Sequence, residues 1–127
     1  MSTFEQRLYK ALRPKRKRAK PRRSVYRNAA YRRWCTQQAC VVSGWRDSDW
    51  IKIWERYAVI DPAHSGKVNG TSSKAPDYTC VPLERVLHTE YDRGRGKFEK
   101  KWGVCMADEA AKCFARWLEE SGTKPPI

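Results

Sequence analysis

Long hydrophobic runs are missing from this 127-residue sequence. No stretch approaches the ~18 consecutive apolar residues that a membrane-spanning helix needs. The N-terminal stretch MSTFEQRLYKALRPKRK also lacks the apolar core of a secretory signal. We therefore expect a cytoplasmic protein that does not have a membrane as a partner.

Paired cysteine motifs are missing as well. The five cysteines, at positions 35, 40, 80, 105 and 113, are odd in number and irregularly spaced. Such spacing does not favour a disulfide framework, and it fits a reducing compartment. A structural zinc bound by Cys35, Cys40, Cys80 and Cys105 is an alternative, but without C-x-x-C pairs we expect buried, unreactive thiols.

Acidic residues are absent from residues 10–33, which contain twelve basic side chains. The rest of the sequence is nearly neutral, since residues 1–9 contain one acidic and one basic side chain and residues 34–127 contain 13 acidic and 14 basic ones. Because two prolines interrupt the basic segment and its charges repel one another, we predict a disordered, flexible arm over residues 1–23. A single small domain is then expected over residues 24–127.

A basic arm of this charge density indicates a nucleic-acid partner, because it can neutralise phosphates and release their counterions. A solubilising tail and a nuclear-import signal are the alternatives. Binding of this kind does not select a sequence. The candidate DNA-contacting residues of the arm are Lys15, Arg16, Lys17, Arg18, Lys20, Arg22 and Arg23.

The remaining pattern predicts a small α+β domain. Helices are predicted over residues 24–34, 84–92 and 107–121, the last because acidic residues occupy its first turn and Gly122 follows it.

Strands are predicted over residues 40–45, within residues 50–60 and over residues 78–83. The second should end at Asp61-Pro62 and the third at Pro82. A polar loop over residues 65–77 lies between these two strands, and a loop of this length most often has a function.

Histidine is scarce, and its two positions are informative. His64 lies in the stretch IDPAHSG, where the second predicted strand gives way to the loop. His88 lies on the predicted helix four residues before Asp92, so the two side chains share one helix face. An imidazole and a carboxylate at this spacing can bind one cation, with an exposed His–Asp hydrogen bond as the alternative.

A hairpin that ends in histidine, a loop, a returning strand and a helix with two ligands four residues apart resemble the His-Me finger nucleases, also called HNH or ββα-metal nucleases. The pattern is similar to that of small phage and prophage HNH-type proteins, including the Ref-type recombination nucleases. The ordered series is more specific than any single motif. The matching residues are Ala63-His64, Lys74, Asp77, Thr79 to Leu83, His88, Asp92, Phe98 and Gly103-Val104.

The resemblance implies a ββα-metal finger, which is a β-hairpin plus a short helix, here with flanking helices. It also implies a metal-dependent DNA endonuclease, encoded by a phage or prophage, that acts in DNA recombination, repair or processing. DNA is the implied partner, a recombinase or another phage or host DNA-processing protein is a further candidate partner, and the bacterial nucleoid is the expected location.

The resemblance also implies a role for each site residue. His64 is the general base that takes a proton from the attacking water. His88 and Asp92 bind one divalent cation, and Asp61 and Asp77 are candidates for a third ligand or for orienting the site. Mg²⁺ or Mn²⁺ is expected, and the histidine ligand also permits Zn²⁺.

Basic residues near the predicted helix are candidates for contacts with flanking phosphates, with solvated surface charge as the alternative. These residues are Arg85, Arg93, Arg95 and Lys97.

The sequence departs from the family pattern at several positions. Ala63 stands where many HNH enzymes have an additional metal ligand, and Glu84 and Leu87 stand where cysteines usually follow V-P-L. A non-catalytic DNA-binding module on an HNH scaffold is therefore the main alternative function. An RNA-associated basic protein is a third hypothesis, which explains the arm but gives His64 and the His88–Asp92 pair no role.

Overall fold

The computed structural model of the protein describes residues 3, 5–7, 25–66 and 75–126. These residues form an α+β fold, as predicted, with two two-stranded antiparallel sheets. All seven candidate DNA-contacting residues of the predicted arm lie outside the described residues, and so does most of the predicted loop. Of the arm, residues 3 and 5–7 are described, and they are helical.

Helix α1 comes after the helical residues 3 and 5–7. It is followed by a small hairpin of β1 and β2, a central hairpin of β3 and β4, and helices α2 to α4. Their bounds are α1 Ala29–Thr36, β1 Trp50–Ile51, β2 Arg56–Tyr57, β3 Ile60–His64, β4 Cys80–Glu84, α2 Arg85–Arg93, α3 Arg95–Trp102 and α4 Met106–Ser121.

The central hairpin contains a proline in each strand, which corrects two predicted strand ends. Pro62 and Pro82 are register partners in the middle of β3 and β4. Two hydrogen bonds show that the backbone N–H and C=O positions of the even-numbered residues point away from the partner strand. The Pro82 carbonyl accepts from the Val41 N–H, and the His64 carbonyl accepts from Arg95. A missing N–H on the outer side of a two-stranded sheet breaks no ladder bond, so both prolines are tolerated there.

Two other predictions are wrong for local reasons. Residues 40–45 form a turn rather than a strand, because the Cys40 N–H donates to the Trp45 carbonyl and Gly44, at a φ of 77°, reverses the chain. The first helix begins at Ala29 rather than at residue 24, because Asn28 has extended backbone dihedrals and its side chain caps the Tyr31 N–H. Helix α3 was not predicted, since Gly94 and Gly96 disfavour helix.

The two predicted helices at the C-terminal side are confirmed. Helix α2 begins after Glu84, whose carboxylate accepts from the Val86 N–H at 2.8 Å and acts as its N-cap. Helix α4 has Asp108 and Glu109 in its first turn, where the helix dipole favours negative charge, and ends at Gly122 with a φ of 68°.

The core has two clusters, one on each face of the central hairpin. On one face, Val81 and Leu83 pack with residues of α2 and α3, including Leu87 and Phe98. On the other face, Cys80 packs with Tyr31 of α1 and Trp117 of α4. Each fully buried side chain of this size contributes about 1.5–3 kcal/mol, so the hairpin is fixed between two helical layers. Among the described residues, none of the helices has the length and apolar composition that a bilayer span requires.

We predict that Tyr31→Phe lowers the free energy of unfolding by about 1–3 kcal/mol. The Tyr31 hydroxyl is buried and donates to the Cys80 carbonyl at 2.7 Å, and the variant removes this donor while keeping the ring. Tyr57→Phe removes a hydroxyl from an exposed ring and should change stability by less than about 0.5 kcal/mol. Urea unfolding of both variants measures the difference, and equal effects would contradict the role of this hydrogen bond.

Candidate active site

A buried carboxylate organises the end of β3. The side chain of Asp77 is 0% exposed, and it precedes β4 in a 3-10 turn, Asp77–Thr79. Its Oδ2 accepts from the Asn28 N–H at 2.6 Å and lies 3.1 Å from Arg32 Nε. Its Oδ1 accepts from Arg27 Nη1 at 3.2 Å and lies 3.0 Å from Nε2 of His64.

The contact with Asp77 determines which nitrogen of His64 carries the proton. An ionised carboxylate only accepts hydrogen bonds, so a neutral His64 ring must donate its Nε2–H to Asp77. Nδ1 then has a free lone pair and can accept a proton. The His64 side chain is 27% exposed, and within the described residues only Nε2 of the ring has a hydrogen-bond partner. Water can therefore reach a histidine that is fixed in one tautomer.

The surroundings of Asp77 keep it ionised. Burial by itself raises the pKa of Asp77, but the donors outweigh burial: the Asn28 N–H, His64 and Arg27, together with the charge of Arg32, hold the pKa below its ordinary value. Asp77 is therefore a permanent hydrogen-bond acceptor for His64 at neutral pH.

Potential metal ligands meet beside this pair. Among the described residues, the one group of three or more such side chains whose ligand atoms lie within 4.8 Å of one another is His64, Asp77 and Cys80. Cys80 faces His64 in the β3–β4 register, and burial raises the pKa of its thiol to about 12. Because metals bind the thiolate, and because the Asp77 carboxylate already has two guanidinium partners, a cation here would compete with existing contacts.

The second histidine has a carboxylate at each ring nitrogen. Nδ1 of His88 lies 3.1 Å from Oδ2 of Asp61, and Nε2 lies 3.3 Å from Oδ2 of Asp92. The predicted His88–Asp92 pairing is thus present on α2, and Asp61 of β3 joins it. Arg85 adds a contact from its guanidinium to Oδ1 of Asp61 at 3.2 Å, and this hydrogen bond raises the pKa of Arg85.

Helix α2 runs alongside β3. His88 contacts Asp61 near the start of β3, whereas Arg95, just beyond the end of α2, donates to the carbonyls of His64 and Gly66 at 3.1 and 2.7 Å. Asp92 lies between these contacts along the helix. Asp61 and His64 are three residues apart on one strand, so their side chains leave opposite faces of β3. The His88 cluster therefore lies near the start of β3, and the His64 cluster lies at its end.

The basic residues around α2 have different environments. Arg93 and Lys97 are exposed on the surface, and Arg85 is exposed but paired with Asp61. Arg95 is half-buried, and its guanidinium also lies 5.0 Å from the centre of the Tyr91 ring. Arg95 thus holds the backbone at His64, a contact that its sequence position did not indicate.

Sequence analysis missed the partners of Asp77. Arg27 and Arg32 were counted with the basic segment 10–33, but in the structure they neutralise a buried carboxylate at the site. Asn28 was not considered, although Asn before a run of helix-forming residues is a usual N-cap signal. No local pattern connects these residues with Asp77, which lies about fifty positions later in the sequence.

Comparison with known proteins gives a family but not an activity. A family model described as a protein of unknown function, DUF968, matches residues 12–116, most of the chain. The chain belongs to the DUF968 family. The matched DUF968 region contains both histidine clusters. No curated protein and no solved structure matches the chain, so its function is argued from these clusters.

We predict that Asp77→Asn lowers the free energy of unfolding by about 1–3 kcal/mol at pH 7, because the charged partners of the carboxylate lose their acceptor. Since the folded pKa of Asp77 is depressed, its stabilisation is fully present above the ordinary aspartate value, about 3.9, and is lost as the pH falls through the folded value.

Urea unfolding of the wild type and Asp77→Asn at pH 7, 5 and 3 measures this dependence. The difference between the two proteins should be smaller at pH 3 than at pH 5, because the stabilisation by Asp77 is lost below the ordinary aspartate value. A difference that grows between pH 5 and pH 3 would contradict a depressed pKa for Asp77.

Proposed function

We propose that this protein is a DNA endonuclease that hydrolyses phosphodiester bonds with His64 as the general base and with one divalent cation bound by His88 and Asp92. The observation that carries the proposal is the His64–Asp77 pair. A buried, ionised carboxylate fixes a half-exposed imidazole in the tautomer whose free nitrogen can accept a proton.

The environment of His88 supports a cation at its Nε2. A neutral imidazole has a single N–H and can donate to only one of two carboxylates, so the other nitrogen directs its lone pair at an anion. A metal ion between that nitrogen and the carboxylate would remove the repulsion and would have a ligand on each side, His88 Nε2 and Asp92 Oδ2.

The two sides of His88 are suited to different roles. Asp61 is 19% exposed and is already held by Arg85, whereas Asp92 is 56% exposed and lies nearer the His64 end of α2. A metal-binding histidine usually donates its second N–H to a carboxylate, which fixes the ring. We therefore assign Nε2 and Asp92 to the cation, and Asp61 to orienting His88 through Nδ1.

The spacing of these atoms fits a cation. Two ligand atoms with metal bonds of about 2.1 Å at right angles lie roughly 3 Å apart. The measured separation of His88 Nε2 and Asp92 Oδ2 is 3.3 Å. One nitrogen and one carboxylate leave most of the coordination sphere to water and phosphate oxygens, as is typical of Mg²⁺ and Mn²⁺ sites.

In the proposed reaction, Nδ1 of His64 removes a proton from a water molecule, which attacks the phosphorus atom. The bond between phosphorus and the 3′ oxygen breaks, the 3′ oxygen takes up a proton from solvent water, and the products have a 5′ phosphate and a 3′ hydroxyl. Asp77 stabilises the imidazolium that forms on His64. A bound divalent cation supplies charge neutralisation at the phosphate and at the leaving oxygen.

Charge supports DNA as the substrate class. The chain has a formal net charge of +13, and nearly all of it comes from residues 10–33. Such a segment favours polyanions over small phosphate esters, because each additional phosphate contact releases counterions. Phage origin, a recombinase partner and a role in recombination remain hypotheses that rest on the resemblance to HNH-type proteins.

We predict that His64→Ala lowers the rate of DNA cleavage by about 100-fold or more, because general-base catalysis contributes that much to a typical reaction. DNA affinity should change little, whereas the free energy of unfolding should fall by about 1–3 kcal/mol because the buried Asp77 loses one hydrogen-bond donor. Purified protein is incubated with labelled single-stranded, duplex and branched DNA and with Mg²⁺ or Mn²⁺. If wild type does not cleave any of these substrates, the non-catalytic DNA-binding alternative is favoured. If His64→Ala cleaves at the wild-type rate, His64 is not the base.

We predict that Asp92→Asn weakens Mn²⁺ binding more than Asp61→Asn does. Loss of a direct ligand should exceed the loss of an orienting carboxylate, which typically costs about 10–100-fold in metal affinity. Isothermal titration of Mn²⁺ into each protein provides the measurement. Asp108→Asn, at an exposed site on α4, is the matched control and should bind like wild type. Equal affinities for Asp92→Asn and Asp108→Asn would exclude the assigned cation site.

A further inference from the structure

The β1–β2 hairpin presents an exposed aromatic surface that the proposed chemistry does not use. Trp50 and Tyr57 are cross-strand partners whose rings meet edge-to-face with centroids 5.1 Å apart, and they are 55% and 63% exposed. The other cross-strand pair, Ile51 and Arg56, faces inward, and Ile51 is buried. Ile53, in the turn between the strands, is 86% exposed. We call Trp50, Ile53 and Tyr57 the hairpin face.

The hairpin face is fixed to the candidate active site. Arg56 donates to the buried carboxylate of Glu84 at 2.6 Å, and Glu84 is the N-cap of α2, the helix that contains His88 and Asp92. The Arg56 guanidinium also lies 5.3 Å from the centre of the Trp54 ring. A two-stranded hairpin is only marginally stable by itself, so these contacts hold the aromatic rings in position.

A cleft of about 570 Å³ lies beside the His88 cluster. Its lining includes Arg46 and Asp47, which precede β1, Val59, which follows β2, and Asp61 and Arg85 of the His88 cluster. Asp47 accepts from the Ile60 N–H, Asp49 accepts from the Arg46 N–H, and Asp61 is paired with Arg85. The cleft therefore offers the exposed guanidinium groups of Arg46 and Arg85 close in sequence to both ends of the hairpin and to the His88 cluster.

Arginine side chains together with exposed aromatic rings are suited to binding a nucleic-acid strand whose bases are not stacked on one another. Phosphates can pair with Arg46 and Arg85, and bases can stack on aromatic side chains, which contributes about 1–3 kcal/mol per base. In duplex DNA the flat faces of the bases are already stacked on one another. An aromatic surface therefore discriminates in favour of unpaired nucleotides.

We infer that the hairpin face binds unpaired bases next to the cleaved phosphate, so that the substrate of the proposed endonuclease is DNA with single-stranded nucleotides at the cleavage site. This inference rests on the proposed function. Its test measures only the affinity of the protein for single-stranded DNA, which does not require cleavage.

The test compares Trp50→Ala with Trp102→Ala, which changes an exposed tryptophan on α3, outside the hairpin face. Binding of a fluorescent 20-nucleotide oligothymidine and of a blunt duplex of the same length is measured by anisotropy in EDTA. Trp50→Ala should weaken binding to the single strand by about 5- to 150-fold, the equivalent of one stacked base. Binding to the duplex should change by less than about twofold, and Trp102→Ala should match wild type on both probes.

The salt dependence and oligomeric state complete the test. Trp50→Ala removes no cation, so the slope of affinity against salt concentration should be unchanged. An equal loss on both probes, or no loss on either, overturns the inference. A wild-type dimer that becomes monomeric in Trp50→Ala, detected by size-exclusion chromatography with light scattering, also overturns it and identifies a second copy as the occupant.

The inference and the proposed function can fail separately. Cleavage in Mg²⁺ together with unchanged binding by Trp50→Ala rejects only the role of the hairpin face. The expected loss of single-strand binding in a protein that does not cleave DNA rejects only the nuclease activity.

Discussion

The buried carboxylate of Asp77 connects parts of the structure that are distant in sequence. It accepts from the backbone that starts α1, pairs with Arg27 and Arg32, and holds His64 at the end of β3. A buried charge is stable only when its partners compensate for the loss of water, and Asp77 has three hydrogen-bond donors, the Asn28 N–H, Arg27 and His64, and an ion pair with Arg32. The position and tautomer of His64 depend on this compensation, and so does the proposed base catalysis.

The two histidines illustrate two ways in which a carboxylate can act on an imidazole. Asp77 contacts one nitrogen of His64 and leaves the other free for a proton. Asp61 and Asp92 contact both nitrogens of His88, and a neutral ring can donate to only one of them. In the proposed function this difference corresponds to proton transfer by His64 and cation binding by His88.

Local sequence signals predicted the parts of the fold that local interactions determine. Helices α2 and α4 were predicted from their periodicity and flanking residues, and the His88–Asp92 pairing follows from helix geometry. The paired prolines of the central hairpin were misread as strand ends. A strand tolerates proline on the side that forms no hydrogen bonds with another strand, and the tertiary structure, not the local sequence, determines which side that is. The contacts of Arg27, Arg32 and Arg95 are tertiary as well. Arg27 and Arg32 were counted only as part of the basic segment, and Arg95 was a candidate for phosphate contacts near the helix. In the structure, Arg27 and Arg32 contact Asp77, and Arg95 contacts the backbone at His64.

The contact with Asp77 requires that a neutral His64 has its proton on Nε2 and its lone pair on Nδ1. Because the chain contains only two histidines, long-range ¹H–¹⁵N spectra of the ¹⁵N-labelled protein resolve each ring, and His88→Gln assigns the signals. The account predicts the Nε2–H tautomer for neutral His64, and a change in the His88 signals alone when Mg²⁺ is added. A neutral His64 with its proton on Nδ1 would contradict the account, because Nδ1 could not then accept the proton of the attacking water.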